Sequence, residues 1–137
     1  NFDTADMAEL RSTGGGEACA TNQVLYNLVR RGVEFDLLPW QRERGVPTMA
    51  YSPLEQGWSM AGPALDRVAQ RHGATAMQIA LAWVMRCDDV IAIPKASSPD
   101  HIKANRAVAD FTLTAEDFAE LDRAFPPPVS KQPFDIL

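Results

Sequence analysis

The feature of this chain that most constrains its fold is a short apolar run that ends at a lysine and leads directly into a helix-start signal. Residues 90–93 are apolar and rich in β-branched side chains, as is typical of a strand buried in a parallel sheet. Ser98 can cap the helix that follows, and Pro99 suits its first position. Two similar runs, 18–24 and 48–52, are separated by helical segments. This alternation predicts an α/β fold with parallel strands.

Capping residues and apolar side chains at helical spacing predict the remaining elements. A first helix begins near Asp3 and ends at glycines 14–16, which follow a helix and therefore do not form a phosphate loop. Thr75 and Gln78 form the capping box of another helix, and Thr114 caps the last one. The further predicted helices cover residues 35–44, with Phe35, Leu38 and Trp40 buried, residues 63–71 and residues 99–109.

Composition narrows the class of protein. The 137 residues are 46% hydrophobic with a net charge of -5, which fits one soluble globular domain or part of one. No segment concentrates basic residues as a nucleic-acid groove would, and no apolar run is long enough to span a membrane. With no signal-peptide pattern, we expect a cytoplasmic protein. Cys19, expected in a buried strand, and Cys87 are expected to be free thiols, and no metal-ligand spacing is present.

The two ends of the chain differ in character. The sequence starts at Asn1 without a methionine, whereas residues 126–133 resemble a natural extended tail. We therefore expect the amino-terminal end to be cut and the carboxyl-terminal end to be complete.

Polar side chains cluster where the predicted strands end. Lys95 follows the last strand and faces the start of a helix, an arrangement that suits a phosphate group. The alternative is a solvated lysine at a strand end. Asn22 and Gln23 lie at the end of the first run, and a turn beginning at Tyr51 ends the second. These positions are candidates for a ligand site.

Several short strings, in order, resemble the aldo-keto reductase family. They are Asn1-Phe2, Asn22-Gln23-Val24, Met49-Ala50-Tyr51-Ser52-Pro53-Leu54 and Ile93-Pro94-Lys95-Ala96, with Asn105 in the next helix. Their spacing matches the carboxyl-terminal half of the family along nearly the whole chain. The resemblance implies the carboxyl-terminal half of a (β/α)8 TIM barrel, containing its last three strands, with residues 1–137 as one partial barrel that binds the cofactor.

The resemblance also implies roles at the nicotinamide end of an NADP site. Tyr51 resembles the tyrosine that stacks on the nicotinamide ring. Gln23 and Asn1 resemble the amides that hold its carboxamide. That role suits an amide side chain, which can both donate hydrogen bonds to a carboxamide and accept them from it. The alternatives are a core tyrosine at position 51 and an ordinary strand-end amide at position 23.

Four further residues resemble the contacts to the phosphates and the adenine. Ser52 and Leu54 resemble the residues that contact the pyrophosphate. Lys95 resembles the residue that faces the 2′-phosphate. Asn105 resembles the residue that contacts the adenine, and the alternative for it is a solvated helix residue. The family often carries an arginine where this chain has His101, which supplies less charge. Lys95 makes NADP the expected cofactor, whereas the smaller charge at His101 leaves NAD possible. Lys103 is a candidate for partly compensating the missing charge.

The family's catalytic Asp, Tyr, Lys and His motifs are absent from this sequence, so no catalytic residue is assigned, and Tyr51 and Lys95 are not given that role. The resemblance implies an NADP-dependent oxidoreductase that, when intact, reduces small-molecule aldehydes or ketones. This chain alone is expected to be inactive. The alternatives are a non-catalytic cofactor-binding or self-assembling partial-barrel module and a fragment without a function of its own. An open inner face around Val24, Ala50 and Ile93 predicts self-association or pairing with the missing amino-terminal half.

Overall fold

A computed structural model describes residues 1–55, 62–110 and 112–137. Its centre is a three-stranded parallel sheet in the order β1-β2-β3. The strands are β1 Asn22–Leu25, β2 Thr48–Tyr51 and β3 Val90–Ala92. The helices are α1 Thr4–Ser12, α2 Leu37–Glu43, α3 Pro63–His72, α4 Ala76–Val84, α5 Pro99–Ala107 and α6 Ala115–Ala124, with 3-10 turns at Gly16–Ala18, Gly32–Glu34 and Val108–Asp110. The expectation of a parallel α/β fold is confirmed.

The two faces of the sheet have different surroundings. Val24 pairs with Ala50 in register, and both are fully buried in the core that the helices form over one face. Side chains alternate along a strand, so the next row, Gln23, Met49 and Ile91, lies on the opposite face. Gln23 and Ile91 are exposed there. The expected open face therefore exists. Its assignment to Val24 and Ala50 was wrong, because those side chains point into the core and their neighbours along the strands point to the open face.

Ile93 does belong to the open face. It follows β3, its N–H donates to the Ala50 carbonyl, and its side chain is 38% exposed. Ile91 is 47% exposed. A fully covered parallel sheet would bury both side chains.

Two predicted boundaries differ from the structure. The first strand begins at Asn22 and not at residue 18, because the left-handed Gly15 and the 3-10 turn that follows it occupy that part of the chain. Cys19 consequently lies before β1 and is only partly buried, although both cysteines are free as expected. Helix α2 begins at Leu37 after a separate 3-10 turn, and Phe35, expected to be buried, is 46% exposed.

The predicted helix caps are present. Capping boxes begin α1 at Asp3, α4 at Thr75 and α6 at Thr114, and the Ser98 hydroxyl accepts from the start of α5. Gly73 ends α3 with a φ of 59°, a left-handed conformation that glycine adopts without steric cost. In the described residues, no helix is long and apolar enough to cross a membrane.

A buried carboxylate joins α3 to α6. Asp117 accepts from Arg71 at 2.7 Å, contacts His72 at 2.7 Å, and accepts from the Thr114 N–H at 2.8 Å. Burial favours the neutral acid, but the hydrogen bonds from His72, Thr114 and Arg71 outweigh it and hold the pKa of Asp117 well below its usual range.

We expect Asp117→Asn to lower the free energy of unfolding by about 2 kcal/mol at neutral pH, because hydrogen bonds to a charged group are worth roughly 1.5–3 kcal/mol. The pKa is lower in the folded than in the unfolded state. The carboxylate therefore stabilises the fold above about pH 4, and this contribution is lost as the pH falls toward the folded-state pKa.

Urea unfolding from neutral pH down to about pH 2 measures this contribution. The difference between wild type and Asp117→Asn should shrink as the solution becomes acidic, whereas Glu116→Gln, an exposed neighbour on the same turn, should follow the wild type. A difference that stays constant over the whole range would contradict the assignment.

Candidate functional site

A cleft of about 650 Å³ lies at the carboxyl ends of β2 and β3. The turn after β2 forms one wall, the loop after β3 another, and helices α4 and α5 complete it. The cleft is lined by Ser52, Pro53, Leu54, Thr75, Met77, Gln78, Ile93, Pro94, Lys95, His101, Ala104 and Asn105. Because the strands are parallel, their carboxyl ends share one edge of the sheet, where ligands of such folds bind.

The charge of the cleft favours an anion. Its ionisable lining residues are Lys95 and His101, and no carboxylate belongs to the described lining. Lys95 is exposed and makes no ion pair with any of residues 1–55, 62–110 or 112–137. The first turn of α5 carries His101 and adds the partial positive charge of a helix N-terminus. A phosphate group fits these surroundings.

The turn after β2 has a strained backbone. Ser52 and Glu55 adopt φ angles of 46° and 44°, which residues other than glycine rarely do. The Asn27 amide donates to the Ser52 carbonyl at 2.9 Å and to the Glu55 carboxylate at 2.7 Å. Arg30 donates to the same carboxylate at 2.8 Å. Strain of this kind clusters at binding sites, where surrounding contacts maintain it.

Sequence reasoning did not assign roles to Asn27 and Glu55, although both are buried and together hold the turn. The available signals were an acidic side chain in the turn after the second strand and, separately, an amide two residues after the first strand. Neither residue alone indicated the other, because 28 positions separate them along the chain.

Four of the seven proposed cofactor residues, Ser52, Leu54, Lys95 and Asn105, line this cleft together. His101 lines it as well, whereas Lys103 is not among its lining residues. Asn105 is half-buried in α5, which weakens the alternative of a fully solvated helix residue.

The other three, Asn1, Gln23 and Tyr51, lie outside the cleft lining. Gln23 is exposed on the open face of the sheet, close to the start of β1 and not at its end as expected. Tyr51 is the last residue of β2 and is only partly buried, and its hydroxyl accepts from the Leu137 N–H at 3.2 Å. It is therefore not a fully buried core tyrosine.

Asn1 is held near the start of β1 through its neighbour. The Asn22 amide accepts from the Phe2 N–H at 3.2 Å and donates to the Phe2 carbonyl at 2.8 Å. Asn22 also donates to Gln41 at 2.8 Å and is buried, so its role is structural. These contacts bring Asn1 to the same end of β1 as Gln23.

A smaller cavity of about 240 Å³ lies between the carboxyl-terminal tail and the segment before α2. Lys131 pairs with Asp36 at 3.0 Å beside it, and Asp135 with Arg30 at 3.5 Å. None of the seven proposed residues lines it. Among the described residues, no group of three or more His, Cys, Asp or Glu side chains could hold a metal ion.

Comparison with known sequences places the chain in a family. The sequence model of the Aldo/keto reductase family matches residues 1–125. The chain belongs to the aldo/keto reductase family. Its relatives include the methylglyoxal reductase YeaE of Escherichia coli (strain K12), 44% identical over 142 residues that cover 100% of this chain and 50% of the relative. An uncharacterized oxidoreductase, YtbE of Bacillus subtilis, is 34% identical over 74% of the chain and 35% of its own length.

Solved structures of aldo-keto reductases superpose closely on the chain. One from Klebsiella pneumoniae in complex with NADPH is 45% identical, with a TM-score of 0.94. The match covers 100% of this chain and 50% of the Klebsiella pneumoniae chain. A second from the same organism, with NADP and acetate, is 45% identical and has a TM-score of 0.97 over the same shares. The sheet and its helices are therefore part of a TIM barrel, as expected. The chain spans about half the length of these relatives.

Proposed function

We propose that this chain forms the NADP(H)-binding side of an aldo/keto reductase that reduces small aldehydes or ketones. The observation that carries the proposal is the acid-free cleft in which Lys95, without an ion-pair partner among the described residues, lies with His101, Ser52 and Asn105. The NADPH and NADP complexes of the two Klebsiella pneumoniae relatives support the choice of cofactor.

The cleft accounts for the adenosine end of the cofactor. Lys95 is proposed to face the 2′-phosphate, where its charge is available because none of the carboxylates in the described residues pairs with it. Asn105 would contact the adenine. Ser52 and Leu54, in the strained turn, would contact the pyrophosphate, and the Asn27–Glu55 hydrogen bond keeps that turn in place.

The nicotinamide end would lie toward the open face of the sheet. Tyr51 would stack on the ring, and Gln23 and Asn1 would hold its carboxamide. When bound, NADPH supplies a hydride to the substrate carbonyl. The acid-base group of the family is not among these residues, so we propose that the chain alone does not turn over substrate. The name of the Escherichia coli relative supports a small carbonyl substrate.

Lys95→Ala should weaken NADPH binding roughly tenfold and NADH binding much less, because a charge-assisted contact to the 2′-phosphate is lost and every 1.4 kcal/mol changes affinity about tenfold. Fluorescence titration with each cofactor measures both constants. Lys103→Ala removes an equal charge from α5 outside the cleft and should leave the ratio of the two constants unchanged. Equal losses for NADPH and NADH in Lys95→Ala would remove Lys95 from the 2′-phosphate site.

A second candidate is a partial-barrel module that associates through its open sheet face. The exposed side chains of Ile91 and Ile93 favour it, since a parallel sheet normally has both faces covered. The occupant would be a second copy of the chain or an amino-terminal half-barrel. Burying apolar surface contributes roughly 25 cal/mol per Å².

Light scattering of the isolated chain should therefore show species larger than 15.0 kDa. Ile91→Glu places a charge on the open face and should shift the population toward monomer. Ile102→Glu, at an exposed position on α5, should leave the distribution unchanged. A cooperative monomer of the wild-type chain would show that this face needs no partner.

A further inference from the structure

Gln78 makes hydrogen bonds to two separate elements that line the cleft. It lies in the first turn of α4, where its side-chain oxygen accepts from the Thr75 N–H at 3.0 Å and from the Thr75 hydroxyl at 3.2 Å. Its side-chain nitrogen donates to the Ala104 carbonyl of α5 at 3.1 Å. Thr75, Gln78 and Ala104 all line the cleft.

The partners determine the orientation of the amide. The Thr75 N–H can only donate and the Ala104 carbonyl can only accept, so a single group must offer both an acceptor and a donor. A glutamate at this position would satisfy the cap of α4 but could not donate to α5 when ionised. The contact with α5 therefore depends on an amide, whereas the cap does not.

The Ala104 carbonyl is a structurally significant acceptor. It is one of the last four carbonyls of α5, which lack the usual donor within the helix. The donation from Gln78 thus ties the end of α5 to the start of α4. The next residue is Asn105, the proposed adenine contact.

We infer that Gln78 is a positioning residue for the adenosine end of the cofactor. Its hydrogen bond to the Ala104 carbonyl holds the end of α5 and so fixes the position of Asn105, the next residue. The inference rests on the proposed function. It predicts that loss of the donor weakens NADPH and NADH alike, because both carry the adenosine, whereas loss of Lys95 separates them.

Two variants of this protein distinguish the roles of Gln78. Gln78→Glu keeps the acceptor for the cap and removes the donor, and Gln78→Met removes both without adding charge. We expect both variants to raise the dissociation constants of NADPH and NADH roughly two- to tenfold, the range for one hydrogen bond. Thermal unfolding should show a clear loss for Gln78→Met and a smaller one for Gln78→Glu.

Two controls make the result specific. The loss in Gln78→Glu should persist in roughly 0.5 M salt, which screens repulsion between the new carboxylate and the phosphates. Thr114→Ala removes the cap of α6, away from the cleft, and should lower stability without changing affinity.

The outcomes separate this inference from the proposed function. A wild-type protein that binds neither NADPH nor NADH would overturn both. A wild type that binds NADPH, together with Gln78→Glu and Gln78→Met variants that bind it equally well, would overturn the positioning role alone. Affinity that falls only in Gln78→Met, in step with stability, would reduce Gln78 to a helix cap.

Discussion

The parallel register of the three strands is the constraint on which the site depends. β1 pairs with β2, and β2 with β3, in parallel, with Val24 opposite Ala50 and Ala50 opposite Ala92. All three strands therefore run in the same direction. Their carboxyl ends therefore meet at one edge of the sheet. That alignment brings the turn after β2 beside the loop after β3, although more than 40 residues lie between Ser52 and Lys95.

Polar contacts between side chains and neighbouring elements then give the cleft its shape. Asn27 and Glu55 hold the strained turn, and Gln78 joins α4 to α5. Asn27 and Glu55 are buried, and a buried amide or carboxylate is costly unless its hydrogen bonds are made, so these two side chains favour one arrangement of the turn. Arg30 is paired with Glu55 in this arrangement, whereas Lys95 makes no ion pair within the described part of the chain and remains available for a ligand.

Local signals in the sequence predicted much of this architecture. Thr75, Ser98 and Thr114 cap their helices as expected, because a cap depends on residues within one turn. Lys95 was likewise identifiable from a strand end and the helix start that follows it, whereas Asn105 was assigned only through the resemblance to the family. Four of the seven proposed residues line one cleft, which agrees with their assignment to a single ligand without testing it.

Long-range pairing was not predictable in the same way. The Asn27–Glu55 and Gln78–Ala104 contacts depend on strand register and helix packing, which no local pattern reports. The open sheet face was assigned around Val24 and Ala50, when alternation instead exposes Gln23 and Ile91, because an apolar strand carries no clear mark of which face is covered. Phe35 was expected to be buried on helical spacing, but the helix begins only at Leu37.

The central claim is that the cleft between β2, β3, α4 and α5 receives the adenosine 2′-phosphate of NADP(H). Amide chemical-shift mapping of the ¹⁵N-labelled protein during titration with adenosine 2′-phosphate tests it most directly. The largest shifts should lie at Ser52, Lys95 and Asn105 and in the first turn of α5. Shifts confined to the tail cavity around Lys131 and Asp36, or no saturable shift in the cleft, would contradict it.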